Sequence, residues 1–291
     1  MDEILQRIVF GLTSGSIYAI AAVGLTLVYG ILRLTNFAHG DLMTFGAYMA
    51  YTVTVMWNGH FILGLLAATV LTALLGLGTE LAIWRPLRLR GSGVLQLMLV
   101  SIGLSLVIRY GLQFFYGADL RRLDVDVTST NVIGGIRISD QQILIFVLAA
   151  IVLGLVGLLL AKTLIGASMR ALSDNIVLAE STGIDTRRVI SQTWLLAGGL
   201  AGFGGVLAAI FINVNPEVGW NLLLTVFAAV IVGGIGNPYG ALIGGYVIGL
   251  AQELSTLVIP AQYKLLVGFV ILVLVLLIRP QGIMGRRQAV T

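Results

Sequence analysis

Cysteine is absent from the 291 residues, and histidine occurs only at His39 and His60. The first absence removes disulfide frameworks, thiolate metal sites, iron–sulfur clusters and thiol nucleophiles together. The second leaves too few imidazoles to build a metal centre. Charge is scarce as well: Asp, Glu, Lys and Arg make up 10% of the chain, against roughly 25% in a typical soluble protein. So few charges would leave the surface of a water-soluble globule mostly apolar and prone to aggregate. The formal net charge is +4, but the basic residues stand singly between apolar runs instead of sharing one face, which argues against nucleic acid as a partner. No Gly-x-x-x-x-Gly-Lys-Ser/Thr run occurs, so the chain holds no phosphate loop for ATP.

What is abundant is apolar sequence, at 58% of residues, with a mean hydropathy of +1.02. Nine apolar runs approach the ~20 residues needed to cross a bilayer. They lie at 8–30, 39–57, 61–84, 94–116, 141–161, 189–212, 221–235, 240–258 and 263–279. The runs are continuous instead of alternating, and backbone amides in lipid must be satisfied within their own segment. The fold class is therefore all-α: a polytopic helical membrane protein in one transmembrane domain over 1–291, with nine spans expected, eight or ten being compatible, and some helices discontinuous. The acidic start at Asp2 and Glu3, with no small-residue cleavage site before a polar stretch, predicts that the first span is retained.

Orientation follows from the basic residues. One set of alternate loops and the tail carries Arg33, Arg85, Arg88, Arg90, Lys162, Arg170, Arg187, Arg188, Arg279, Arg286 and Arg287. The other set carries only Arg7, Arg121, Arg122, Arg137 and Lys264. The richer set belongs in the cytoplasm, with the amino terminus outside and the carboxyl terminus inside.

Two interruptions stand out. The run at 221–235 is about 22 Å long as a helix, short of a hydrocarbon core of about 30 Å, and ends in Gly233-Gly234-Ile235-Gly236-Asn237-Pro238. A second break separates Tyr29-Gly30 from Gly40-Asp41. Broken helices in the two halves of a chain point to a substrate site, two tight cytoplasmic turns being the plainer reading. The pathway candidates are Asn36, Phe37, His39, Gly40, Gly234, Gly236 and Asn237. Helix amides near Gly40 or Gly240 suit a carboxylate, whereas His39 reads more readily as a hydrogen-bonded structural residue.

The 37 glycines are patterned. Gly11 and Gly15, Gly198 and Gly202, Gly236, Gly240 and Gly244, and Gly245 and Gly249 recur every four residues, giving small faces for close helix approach within the chain or in a dimer. Among intramembrane charges, Glu80 and Glu253 lie close enough to helix ends to snorkel, and Asp41 is expected to cap the helix after it. No charge is placed at the midplane, which counts against ion coupling; Glu253 with Arg109 is the pair such a carrier would use. Asp41 and His39 are two apart and do not face each other on a helix, so no catalytic constellation is expected.

The cytoplasmic stretch at 163–188 is amphipathic. Leu172, Ile176 and Ala179 share one side, Ser173 or Asp174 suits an N-cap, and Gly183 suits a left-handed stop. Such a short helix needs a partner, either the chain's own loops or another protein.

Ile31-Leu32-Arg33-Leu34-Thr35-Asn36-Phe37-Ala38-His39-Gly40, the segment from Met169-Arg170-Ala171 to Gly183-Ile184-Asp185, Gly233-Gly234-Ile235-Gly236-Asn237-Pro238-Tyr239-Gly240-Ala241 and the ending Arg279-Pro280-Gln281-Gly282-Ile283 occur in order from first span to last. Together they resemble LivH-type permeases, membrane subunits of bacterial ABC importers for branched-chain amino acids. The resemblance implies a multi-pass inner-membrane protein that is not an enzyme, paired with a second, LivM-like permease as a heterodimer. It also implies two ATPase subunits and a periplasmic binding protein that delivers leucine, isoleucine or valine. No cofactor would sit on this chain, the ATP being held by the partner subunits. A coupling helix at about Ser173–Thr182 would enter a cleft of the ATPase, with Arg170, Ser173, Asp174, Ile176, Ala179, Glu180, Gly183 and Ile184 at or beside the contact. Ala179-Glu180-Ser181-Thr182-Gly183 keeps the glycine of the usual coupling pattern but not its alanine pair. Two alternatives stay open: the same architecture carrying urea or short amides, and an ion-coupled amino-acid carrier.

Overall fold

A computed structural model describes residues 2–123, 125, 129–133 and 136–285. Arg286 and Arg287, counted above in the basic tail, lie outside the described residues. Each of the nine apolar runs forms helix. In chain order these are α1 (Asp2–Leu32), α2 (His39–Tyr51), α3 (Phe61–Thr79), α4 (Arg85–Leu89), α5 (Val94–Tyr116), α6 (Asp140–Lys162), α7 (Leu164–Asp174), α8 (Ile176–Ser181), α9 (Thr186–Phe211), α10 (Val218–Gly233), α11 (Pro238–Ser255) and α12 (Lys264–Ile278). π-helical turns extend α2 over Thr52–Met56 and join α3 to α4 over Glu80–Trp84.

Among the described residues six stretches are long and apolar enough to cross a membrane: Glu3–Leu32, Phe61–Leu89, Val94–Tyr116, Asp140–Lys162, Thr186–Phe211 and Ala261–Ile278. The shorter helix α10 is also apolar. The helices of the other expected spans are shorter or less apolar. α2 has 13 residues before its π turn, and α11 is diluted by its glycines and the polar Gln252-Glu253 pair.

The most buried helices are the glycine-rich ones. In α9 the apolar window is 83% buried, in Ala261–Ile278 only 6%, which separates a helix packed within the chain from one on its outside. α1, α2, α9, α10 and α11 pack on each other, while α3 and α6 flank α9 and α1, α5 leans on α2, and α12 covers α10 and α11. A Cβ on Gly249 would lie 2.5 Å from the Gly15 Cα, and one on Gly245 2.5 Å from the Ala19 Cα, so backbone meets backbone along the α1–α11 seam. Gly198 and Gly202 meet Thr72 and Ala68 of α3 in the same way, and Gly244 meets Ala229 of α10. The four-residue glycine faces are therefore occupied within the chain.

A short antiparallel hairpin, β1 (Thr130–Ile133) and β2 (Ile136–Ser139), pairs Thr130 with Ser139 and Ile133 with Ile136. It was not expected from hydropathy. Gln6 of α1 holds it, donating to the Arg137 carbonyl at 2.8 Å and accepting from the Arg137 N–H at 2.9 Å. Ser139 and Gln142 then form a reciprocal capping box that starts α6.

Candidate transport pathway and cytoplasmic coupling site

The first break lies deep in the helix bundle. The His39 Nε2 lies 3.0 Å from the Ala21 carbonyl, and Ala21 is about 16 Å of helical rise short of Leu32 at the end of α1. Residues 33–38 therefore run back along α1, and α2 starts inside the fold. The junction is satisfied locally: Asn36 Oδ1 accepts the Ala38 N–H at 3.1 Å, and the Phe37 N–H donates to Ser101 Oγ at 3.1 Å. The Phe37 ring tilts against Phe227 at 5.2 Å. Gly40 abuts Gly219 of α10, whose N–H donates to Thr44 Oγ1 at 3.0 Å.

From this junction α2 and α5 run in parallel with one constant offset. Phe37 bonds Ser101, Asp41 bonds Ser105, and Thr52 bonds Tyr116, each pair 64 residues apart. Within the ladder Arg109 donates from Nε to Asp41 Oδ1 at 3.0 Å and from Nη2 to Asp41 Oδ2 at 3.1 Å, and its Nη2 reaches Ser105 Oγ at 3.2 Å. Asp41 is fully buried, Arg109 nearly so.

Several expectations are corrected here. Asp41 does not cap α2: Ala38 occupies the N-cap position without a side-chain bond, because the carboxylate is drawn sideways to the guanidinium of α5. Ser105 lies midway along α5 and Arg109 one turn beyond it, so the Asp41–Arg109 pair meets that helix away from both of its ends. Arg109 does not meet Glu253 either. Glu253, on α11, takes Lys264 at 2.7 and 2.8 Å and Ser14 Oγ at 3.4 Å, since α11 faces α1 and α12 while α5 faces α2. Glu80 is likewise buried and paired, with Arg88, instead of snorkelling. The sequence did carry a signal for α5: Ser101, Ser105 and Arg109 recur every four residues in an otherwise apolar run, a polar stripe on one face.

The second break is a junction of another kind. Gly234 and Gly236 adopt φ of 112° and 84°, conformations that favour glycine. The Gly236 N–H donates to Thr26 Oγ1 at 2.9 Å. Asn237 caps α11, accepting from the N–H groups of Tyr239 at 3.1 Å and Gly240 at 3.3 Å, and donates to the Met284 carbonyl at 2.9 Å. The tail closes on the same turn through Ile283 N–H to Val232 O at 2.8 Å and Met284 N–H to Gly233 O at 3.0 Å. Both breaks thus abut α1, the first at Ala21 and Gly24, the second at Thr26 and Gly30.

The segment at 163–188 forms two helices instead of one. α7 ends at Asp174, and Asn175 caps α8 by accepting the Leu178 N–H at 3.0 Å, so neither Ser173 nor Asp174 is the cap. Asn175 takes this role because its backbone is extended at φ −160°, ψ 111°, which breaks the helix there. Gly183 terminates α8 at φ 87°, its N–H donating to the Glu180 carbonyl at 3.0 Å, while the Ile184 N–H returns to Ala179 O at 3.2 Å. Leu172 and Ala179 are buried and Ile176 and Ile184 pack partly against the same core. Val177 and Leu178 point out, at 76% and 63% exposure, so one apolar side is covered by the chain and another is not. Arg170 donates to the Leu160 carbonyl and Ser173 Oγ to the Gly30 carbonyl, the latter at 3.0 Å. Glu180 shares a cleft of about 240 Å³ with Glu80, Arg85, Arg88 and Arg187.

At the opposite end, a cleft of about 330 Å³ is lined by Gln113, Leu120, Asn215, Glu217 and Asn221. Beside it Arg121 pairs its backbone with Val214 and donates to the Tyr51 hydroxyl at 3.0 Å, a bond that raises the guanidinium pKa above its usual value.

Comparison with known proteins bears on this arrangement. Residues 7–276 match the family described as branched-chain amino acid transport system, permease component. The chain is 33% identical over 298 residues to the high-affinity branched-chain amino acid transport system permease protein BraD of Pseudomonas aeruginosa, covering 98% of this chain and 96% of the relative. It is 31% identical to LivH of Escherichia coli K12 over the same shares. A probable LivH of Methanocaldococcus jannaschii is 32% identical over 282 residues, 93% of this chain and 89% of the relative. With most of its length matched to these permeases and a helical fold whose long stretches are apolar enough to cross a membrane, the chain belongs to the permease-component family of branched-chain amino acid transport systems and is a transport subunit.

Proposed function

We propose that the chain, acting as one permease domain, is one of two membrane-spanning halves of an ATP-driven importer that moves leucine, isoleucine or valine into the cell. The other half is a LivM-like permease. Two ATPase subunits bind and hydrolyse ATP on the cytoplasmic side, and a periplasmic binding protein delivers the cargo. The complex lies in the bacterial inner membrane with the amino terminus of this chain outside and its carboxyl terminus inside, as the placement of basic residues favours.

The observation that carries this reading is the α7–α8 segment. It is seated on the permease through Leu172, Ile176 and Ala179 and turns Val177 and Leu178 away from it. A helix that is anchored on one side and apolar on the other suits a partner's cleft. The roles of Arg170, Ser173, Asp174, Glu180, Gly183 and Ile184 follow from their places on or beside it. Asn36, Phe37, His39, Gly40, Gly234, Gly236 and Asn237 act in this reading as the two junctions along α1 past which the cargo moves. Their polar groups are engaged in backbone bonds, so they shape the path more than they bind.

The test is uptake of labelled leucine and ATP hydrolysis by the assembled importer in proteoliposomes, for the native chain and for Val177→Asp with Leu178→Asp. Both replaced side chains are exposed, so the permease folds. Leucine uptake should fall at least tenfold together with loss of ATPase docking. Undiminished uptake would remove α8 from the coupling role, and uptake of urea in place of leucine would change the cargo.

A further inference from the structure

The α2–α5 seam is built differently from the rest of the core. α1 meets α11 mostly at glycine and alanine backbone, with the side-chain bonds Ser14–Glu253 and Ser16–Tyr246 beside it, whereas α5 is held by a ladder of polar bonds centred on the ion pair of Asp41 and Arg109. As mere glue such a pair is a poor choice, because apolar residues of similar volume usually serve as well or better than a buried ion pair. Ionisable groups inside a membrane more commonly mark the route of a ligand.

Three features give Arg109 that character. Its Nε and Nη2 are engaged with Asp41 and Ser105, but among the described residues no bond from Nη1 accompanies them. The guanidinium lies 4.4 Å from the ring centroid of Trp220, a partly buried residue at the start of α10. And the 330 Å³ cleft begins one helical turn further along: Gln113 follows Arg109 by four residues on α5, and Glu217 and Asn221 flank Trp220 on α10. That volume is at the lower end of small-molecule sites.

We infer that Arg109 receives the α-carboxylate of an amino acid entering through this cleft, with Trp220 as a movable cover and Asp41 facing the ammonium group. The guanidinium fork matches a carboxylate bidentately, in the way it now matches Asp41. A zwitterion brings one charge of each sign, so it can replace each partner of the Asp41–Arg109 pair without leaving either charge buried and alone. A neutral amide or a simple amine cannot do so. The site thus selects zwitterions as a class and is indifferent to the side chain, which leaves that choice to other parts of the system. The inference rests on import of amino acids by this chain and names the group on them that it reads.

The experiment uses the assembled importer in nanodiscs, without binding protein, and measures equilibrium binding of labelled leucine together with tryptophan emission. Isoamylamine, which is leucine without its carboxylate, is the competing probe. Leucine is expected to bind saturably and change the emission, and isoamylamine to compete at least tenfold more weakly. Trp220→Phe should lose the optical change but keep binding. Arg109→Gln combined with Asp41→Asn replaces the ion pair by a neutral hydrogen-bonded one; it should assemble and melt like the native protein and bind leucine at least tenfold more weakly. Equal competition by the amine, no leucine binding to the native complex, or native affinity in the double variant would each overturn the inference; should that variant not assemble, the comparison of leucine with amine on the native complex decides. If the native importer with its binding protein takes up no amino acid, the import reading fails separately, since carboxylate-dependent binding is read without transport.

Discussion

Ser173 Oγ donates to the Gly30 carbonyl at 3.0 Å, bonding the last turn of α7 to the last turn of α1. Four residues earlier on α1, Thr26 accepts the Gly236 N–H at the turn between α10 and α11. A displacement of the α7–α8 segment therefore has a bonded route to a glycine turn in the bundle. Replacing Ser173 with Ala removes one neutral hydrogen bond, about 1 kcal/mol. Leucine imported per ATP hydrolysed should fall several-fold with little change in melting temperature, a ratio measured directly in proteoliposomes.

The glycine seam makes a sharper prediction about stability. Gly249→Val places side-chain carbon on the Gly15 backbone, where nothing can yield without separating α1 from α11. The loss should be several kcal/mol, at or above the upper end of overpacking costs, seen as failure to recover folded protein from the membrane. Gly103→Ala on α5 meets open space within 4 Å and should gain about 0.5 to 1 kcal/mol from helix propensity. Thermal melting in detergent distinguishes the two.

Asn237→Ala strips α11 of its cap and the tail of its hold on Met284. A lost cap costs about 1 kcal/mol. The melting temperature should drop by a few degrees, and amide exchange at Ile283 and Met284, whose N–H groups bond Val232 and Gly233, should quicken.

Glu253 is spoken for by Lys264 and Ser14. Glu253→Gln should leave leucine uptake within about threefold of the native rate, since the carboxamide oxygen can still accept from Lys264 and Ser14 and the site lies apart from Asp41 and Arg109. That uptake should also stay insensitive to collapse of the proton gradient. Abolished, gradient-dependent uptake in the native protein would restore the ion-coupled carrier.

The helices were legible because hydropathy is a local property. The run at 94–116 coincides with α5, and the left-handed Gly183 stop forms where its sequence context placed it. Partners were less legible, since they depend on which helices become neighbours. The polar stripe of Ser101, Ser105 and Arg109 announces a buried face, yet nothing local says that Asp41, 64 residues before Ser105, will meet it. That meeting requires α2 and α5 to lie parallel with α3 between them in sequence. Capping was ambiguous for a simpler reason: Ser173, Asp174 and Asn175 are all good caps, and only the extended backbone at Asn175 selects one. The hairpin, by contrast, has a cue in the sequence, Gly134-Gly135 between two stretches rich in β-branched residues, which carries no hydropathy signal.

The seam between α1 and α11 has a thermodynamic character of its own. Its contact points at Gly11, Gly15, Ala19, Gly245 and Gly249 have no rotamers to freeze. Once both helices exist, bringing them together sacrifices almost no side-chain entropy at these points, and dispersion between closely packed backbone atoms adds to the Ser14–Glu253 and Ser16–Tyr246 bonds. A seam of long side chains weakens on warming as the entropic penalty grows with temperature. This one holds its strength, so heating should detach the rotamer-rich outer helices α5 and α12 before it separates α1 from α11.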